Sequence, residues 1–372
     1  MTWSLDLCRG WHRIGIVDDY EFAGTLRDLA VGEWHLSCSA AAPAFGAGYG
    51  PGDVDTMRLV LDGELVFGGY VAPVNGEGGH VRTDNEDGTG LAWSGPDIWD
   101  ILARRLAFPD PTREAPWTVS HDVRSGPAAA ALAAFIEVNV GASALSGRSV
   151  SDVRVVNTGS GTAGEWSARL QPLSLLAQRI CADGDITCRP SVSFAGELEI
   201  WLGSRRDLSA QYRVSDQGDI SSIEARKIPT DATWVAAGGQ GEGTERLFAN
   251  ATSGASGVAR RERFLDRSSL ATLDELTAAA DAAIGEDVDW SVRYEPADGS
   301  AIAWGRDVLI GDLVGVQIGE DVAAVPVTSL VFDISADRQH VTPVLGDASW
   351  NELTGLLDAV DAITNDTAVT IA

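Results

Sequence analysis

Residues 305–319 read GRDVLIGDLVGVQIG. Val314, Val316 and Ile318 alternate there with Gly315 and Gln317, the period-two pattern of a strand with one buried face. The same writing continues in VAAVPVTSLVFDIS and HVTPVLG, with Gly-Asp, Glu-Asp and Asp-Arg pairs as turns. Short strands cut by such turns predict a small barrel or sandwich from residue 301 onward, AIAWGRDVLI included as strand. The first 95 residues carry the pattern too, in WHLSCSA (34–40) and MRLVLDGELVFGGYVAPV (57–74). Within LVLDGELVF, Asp62-Gly63 between two apolar runs is a strong hairpin signal. APAFGAGYGPGDVD is turn chemistry, and LAWSG (91–95) reads as a closing strand.

The middle of the chain changes period. SGPDIWDILARRLAF predicts a helix with Ser94 as N-cap, Pro96 early in it, and Ile98, Ile101, Leu102 and Leu106 as its apolar stripe. GPAAAALAAFIEVNVG (126–141) predicts a second, with Leu132, Phe135 and Ile136 facing inward, and QPLSLLAQRICADGDI (171–186) a third. TCRPSVSFAGELEIWLG is a hairpin turning at Ala195-Gly196. Residues 96–203 are therefore expected to form an α+β module. SAQYRVS (209–215) and DATWVAAGG (231–239) return to strand. RSSLATLDELTAAADAAIG (267–285) is a helix capped by Ser268 or Ser269, with Gly285 near its end. NELTGLLDAVDAITNDTAVTIA reads as a short helix and a tail. The fold class expected is mainly β with α+β insertions.

At 372 residues the chain has room for two to four domains. No apolar run reaches the ~18 residues that a membrane span needs. MTWSLDLCRGWHRIG lacks the basic and apolar regions of a secretory signal, so synthesis in a cytoplasm is expected. The charge is extreme: 27 Lys and Arg against 54 Asp and Glu leave −27. Such a chain is repelled by nucleic-acid phosphates. The acidity reads either as solubility in a salty habitat or as a surface past which DNA slides without sticking. Cys8, Cys38, Cys181 and Cys188 are too few for a disulfide scaffold and lack zinc spacing, which favours free buried thiols over a Cys181–Cys188 bridge.

The chemistry-bearing residues form no constellation. His12, His35, His80, His121 and His340 are scattered, with no HExxH, GxSxG or Walker motif. GGQGEGTER (238–246) is Gly-rich, but Glu242 and Glu245 oppose a phosphate there and no Walker lysine follows, so a structural turn is favoured. Asp18-Asp19, Asp84/Glu86/Asp87 and Glu286/Asp287/Asp289 read as solvated loops, not acid–base pairs. Trp99, Trp201 and Trp234 sit in apolar patterns that favour the core. Asn250-Ala251-Thr252 is a sequon without weight in a cytoplasmically made protein. No catalytic, cofactor-binding or metal-ligating residue is assigned, and no cofactor is expected.

One run is more specific: GSRRDLSAQYRVSDQGDISSIEARKIPTDATWVAAGGQGEGTER (203–246), with RRERFLDRSSL (260–270) and GRDVLIGDLVGVQIG behind it. LDGELVFGGYV, LAWSGPDIWDILARRLAFPDP, AFIEVNVG and SARLQPLSLLAQRICADGDI precede it in matching order. From about 57 to 350 the chain resembles the minor tail proteins of siphoviruses that infect actinobacteria, of the baseplate-hub or tail-associated-lysin type. That resemblance implies a hub fold with two β-barrel domains. It places the first barrel at 1–95 and an inserted α+β domain at 96–203. The second barrel would be discontinuous, 204–252 and 300–350, around an insertion at 253–299, with 351–372 as a tail.

It further implies a non-enzymatic homotrimeric ring in the virion tail tip, assembled in the host cytoplasm. Its implied partners are the distal tail protein ring, the C-terminal end of the tape-measure protein and downstream receptor-binding or tail-fibre proteins. Genomic DNA would pass its acidic channel transiently, without specific binding. Some relatives carry a C-terminal wall-degrading or receptor-binding extension. This chain ends about twenty residues after its last strand, so those activities are expected in other proteins. The rival readings are a peptidoglycan or glycan hydrolase and a carbohydrate-binding adhesin.

Overall fold

The computed structural model describes residues 2–73, 80–85, 88–150, 153–215, 220–228, 232–241, 245–267, 270–284, 289–296, 302–319 and 321–346. Its first nine strands are β1 (Trp3–Arg9), β2 (His12–Val17), β3 (Tyr20–Arg27), β4 (Glu33–Ser39), β5 (Pro43–Phe45), β6 (Thr56–Leu61), β7 (Glu64–Tyr70), β8 (His80–Asn85) and β9 (Gly88–Pro96). The module follows with α1 (Asp100–Ala103), β10 (Asp122–Pro127), α2 (Ala128–Asn139), β11 (Val153–Asn157), β12 (Ala163–Ala168), α3 (Leu173–Gly184), β13 (Thr187–Val192) and β14 (Leu198–Gly203). Then come β15 (Arg213–Ser215), β16 (Ile220–Ile228), β17 (Trp234–Gly238), β18 (Phe248–Thr252), β19 (Glu262–Asp266), α4 (Leu273–Ala283) and β20 (Asp289–Pro296). The last described strands are β21 (Leu313–Ile318), β22 (Asp321–Ile334) and β23 (Gln339–Gly346).

The architecture is mainly β. One sheet has the order β5-β2-β1-β6-β7, and a ten-stranded sheet runs β16-β20-β23-β22-β3-β4-β9-β8, with β21 bridging β22 and β15. Both are open paths among the described residues. Neither sheet closes into a barrel among the described residues. β3 pairs antiparallel with its chain neighbour β4 on one side and with the distant β22 on the other, Phe332 opposite Gly24. Strands of 1–95 and of 300–350 therefore share one sheet.

The two sheets pack through aromatic edges. Phe67 of the smaller sheet meets Phe22 at 5.3 Å and Phe332 at 5.6 Å, both edge-on. All three rings are fully buried beside Leu5, Leu7, Met57 and Leu59. Edge-on pairs of this kind add about 0.5–1.5 kcal/mol each beyond burial. The Asp62-Gly63 turn joins β6 to β7 as anticipated, both residues at positive φ (51° and 87°), the geometry of a type I′ hairpin.

In the module, α2 and α3 pack on β11-β14-β13, where β14 runs parallel to β11 and antiparallel to β13. Leu132, Phe135 and Ile136 are fully buried, as their spacing predicts. Gly196 turns the β13–β14 hairpin at φ 88°.

Three local expectations are corrected. Ser94 caps no helix: Ser94, Gly95 and Pro96 end β9, paired with Glu33–His35, and only Asp100–Ala103 is helical. No side chain caps this helix; just before it, Asp97 accepts the Trp99 N–H at 3.1 Å. Residues 302–312 form no strand beyond the isolated Trp304–Val308 bridge, because successive turns, with Gly305 at φ 86° and Gly311 at φ 81°, bend the run. Helix α4 begins at Leu273 behind Thr272, whose hydroxyl accepts the Glu275 N–H. Ser268, Ser269, Gly285 and the expected C-terminal helix lie outside the described residues.

The described residues fall into two compact units, one within 2–224 and 293–345, the other within 225–292. The second is built on a three-stranded sheet, β18-β17-β19, with α4 on one face. No described helix is long and apolar enough to cross a membrane.

Candidate functional site

The loop between β20 and β21 carries the best-built polar site of the first unit. Asp312 is fully buried. Arg189 of β13 reaches it at 2.9 Å, Arg206 Nε donates to it at 2.9 Å, and the Leu309 N–H donates at 2.8 Å. Beside it, Arg205 pairs with Asp28 at 2.8 Å and donates to the Gly311 carbonyl at 3.0 Å. The Thr187 hydroxyl also donates to Asp28. Asp28 sits between β3 and β4. The network therefore ties the large sheet, the module, the 205–206 linker and the 311–312 turn together. Gly311 is required where it stands: a Cβ there would lie 2.7 Å from the Thr187 hydroxyl, on a backbone already at positive φ.

Electrostatics follow burial and pairing. Burial pulls Arg189 below the usual arginine range while Asp312 opposes that, and its guanidinium lies 4.8 Å from the Trp201 ring centre. The hydrogen bond to Asp312 raises Arg206. At the other end of the same loop, Arg306 pairs with Asp62 of the β6–β7 turn at 2.6 Å. GRDVLIGD is thus a connector pinned by charge at both ends.

Two further buried groups complete the first unit. Asp6 and Arg58 pair at 2.9 Å inside the smaller sheet. Arg58 donates to the Ser193 and Phe194 carbonyls of the β13–β14 turn, 5.2 Å from the Phe194 ring centre. Asp97, almost fully buried, is pushed up to about 7 by burial, against hydrogen bonds from the Gly32 and Trp99 amides. Near it an open groove of about 660 Å³ crosses the outer face of the large sheet, with Thr25, Glu33, His35 and Ser94 in its lining.

The groove holds no catalytic set. His35 and Ser94 are cross-strand neighbours but form no hydrogen bond with each other. His12, His35, His121 and His340 are exposed. No cluster fit to hold a metal occurs among the described residues. All four thiols are free. Burial drives Cys8 and Cys181 up to about 12, Cys38 to about 11, and Cys188 well above its usual value, so none is a poised nucleophile.

Of the Gly-rich run, residues 238–241 and 245–246 are described. The Gly239 N–H donates to the Leu247 carbonyl, the Leu247 N–H donates to the Gln240 carbonyl, and the Gly238 and Gly239 carbonyls accept from Arg246. Carbonyls facing a cation make no phosphate cradle. Asp18 and Asp19 are exposed, Trp99 is buried, and Trp201 and Trp234 are half-buried beneath arginines. The side chains of His80, Asp84, Glu86, Asp87, Glu242, Glu286, Asp287 and Asp289 lie outside the description. The ion-paired junction had a trace in the sequence, the acids and arginines of RRDLS and IGD, but nothing local names their partners.

The siphovirus ReqiPepy6 Gp37-like protein family matches residues 7–347. The chain belongs to that family. The resemblance to siphovirus minor tail proteins thus holds at the level of family. No curated protein matches the sequence.

Solved structures share the fold of this Gp37-like chain. The 43 kDa tail protein of prophage MuSo2 from Shewanella oneidensis aligns with TM-score 0.56 at 14% identity, covering 92% of this chain and 97% of that one. Prophage tail protein gp18 from Listeria monocytogenes aligns with TM-score 0.58 at 7% identity, covering 96% and 99%. A tail protein from Neisseria meningitidis aligns with TM-score 0.56 at 13% identity, covering 93% and 97%.

Proposed function

We propose that this Gp37-like protein is a structural hub of the phage tail tip. In this reading three copies form a ring that joins the distal tail ring and the end of the tape-measure protein to host-recognition proteins. The observation that carries it is the end-to-end fold match with prophage tail proteins, over more than nine-tenths of both chains. Family membership supports it. The buried ion pairs and raised thiols support a scaffold over an enzyme: charged groups are spent on holding elements together.

The same reading gives the acidity a mechanical use. Three copies carry 3 × −27 = −81 formally, and an acidic bore passes DNA without holding it. Strands of 1–95 and 300–350 would form the ring wall, with 96–203 and 253–299 as appended modules. The test is removal of β21–β23 from the phage gene. The expected result is loss of assembled tails; normal infectious tails would contradict the hub.

A further inference from the structure

The arginines of the Asp312 junction hold buried aspartates. In the module Arg104 likewise holds Asp100, Arg113 holds Asp110 and Arg124 holds Asp122. In the second unit Arg246 donates to two carbonyls and lies over Phe248 and Phe264, which flank β17 on the face away from α4. Arg105 and Arg148 of the module have no such acid.

Local structure brings this pair together. After α2 ends, residues 140–150 close on themselves. The Arg148 and Ser149 N–H groups donate to the Leu145 carbonyl, and the Val150 N–H donates to the Val140 carbonyl. The Phe108 N–H donates to the Asn139 side chain, which fastens the segment after α1 to the end of α2. Arg148 thereby lies over Phe108, its guanidinium carbon 3.4 Å from the ring centre. Its Nη2 donates to the carbonyl of Leu106, the residue after Arg105.

Arg148 is only 9% exposed. Its Nη1 is buried without a hydrogen-bond partner, and so is the Nε of Arg105. Among the described residues neither arginine forms an ion pair. Burial and the Arg105 charge pull Arg148 below the usual arginine range, and the Glu114 charge opposes them. Glu114 itself is exposed and pairs with neither. A buried charged donor left unpaired is costly, and native structures fill such a position with water or an ion. Water brings no charge to set against two guanidiniums that repel each other. An oxyanion does, and its oxygens match the fork of guanidinium donors.

We propose that Arg105 and Arg148 form a binding site for one small oxyanion, a phosphate or a carboxylate, where the segment after α1 meets the loop after α2. Phe108 is the floor beneath Arg148, the Leu106 carbonyl orients its fork, and half-buried Arg105 stands on the solvent side. The site lies wholly within the first unit and needs no ring to form.

The test is isothermal titration of the full chain with sodium phosphate and, separately, with sodium glutarate, at an ionic strength held constant with sodium chloride. The expected result is saturable binding of about one anion per chain, weakened about tenfold or more in Arg105→Gln. The near-ultraviolet spectrum and melting curve report whether that variant folds. Hydrogen exchange on wild type, which needs no variant, should show 105–108 and 145–150 gaining protection as the anion saturates. Tighter binding of phosphate supports the site and assigns it to a phosphate. Tighter binding of glutarate supports it and assigns it to a carboxylate, the group that an Asp or Glu of a docked protein would offer. Absence of saturable binding by either anion overturns the proposal and leaves water as the partner of both donors. Unchanged binding by the folded variant, or protection confined to other segments, also overturns it.

Discussion

The two units place charge and aromatic surface in opposite ways. In the first, Phe22, Phe67 and Phe332 are sealed between sheets, and Asp6, Arg58 and Asp312 are buried with their partners. In the second, a small core of Val235, Ala237, Leu265, Leu276 and Ala280 is sealed by α4, while phenylalanines stand outside under arginines. The difference teaches where each unit's stability resides. The first depends on long-range pairs, since Asp312 and Arg189 are far apart in sequence. The second depends on local hydrophobic packing and a helix cap.

The sharpest way to break the contrast is Asp312→Ala. It strands two guanidiniums, one of them largely buried, so a loss of about 3–5 kcal/mol is expected in chemical denaturation. A loss below about 1 kcal/mol would show that the junction is solvated. Next is Leu276→Ala, which opens a cavity in the smaller core and should destabilise that unit by about 2–5 kcal/mol, seen as earlier exchange of 232–284. If the whole chain melts earlier in one step, the units are not independent in stability.

Asp97 sharpens the comparison by pH. Its folded pKa, about 7, is above the ordinary carboxylate value of 3.8. The folded state therefore binds the extra proton between those values, and stability falls as pH rises from about 4 to 7. Asp97→Asn should flatten that slope and stabilise the first unit at pH 8 by about 1 kcal/mol or more; an unchanged slope would refute the burial argument. Smaller still, Thr272→Ala removes the α4 cap and should cost about 1 kcal/mol, read by the same exchange measurement on 270–284. The smallest effect belongs to Phe248→Ser with Phe264→Ser, expected to leave the melting temperature nearly unchanged.

What the sequence disclosed follows the range of each interaction. Asp62-Gly63, Ala195-Gly196 and the inward face of α2 are local, so propensity and spacing suffice. Thr272-Leu-Asp-Glu275 is a capping signature, but Ser268 and Ser269 offer competing caps just upstream. Ser94 misled because Gly95 packs against the Tyr70 carbonyl, 1.9 Å from where a Cβ would stand, a constraint of tertiary pairing that a Ser-Gly-Pro start hides. The pairing of β3 with β22, 300 residues apart in chain, and the four-way junction at Asp312 leave no periodic trace. The aromatic face of β17 left no trace either, because alternation alone marks Trp234 as core.

In the proposed account, three copies of this chain form a single hub ring in each tail. The measurement that tests it most directly is its copy number in purified virions, by quantitative mass spectrometry against the major tube protein. Three copies per particle is the predicted result. Absence from the virion, or a copy number matching the many stacked rings of the tube, would contradict the account.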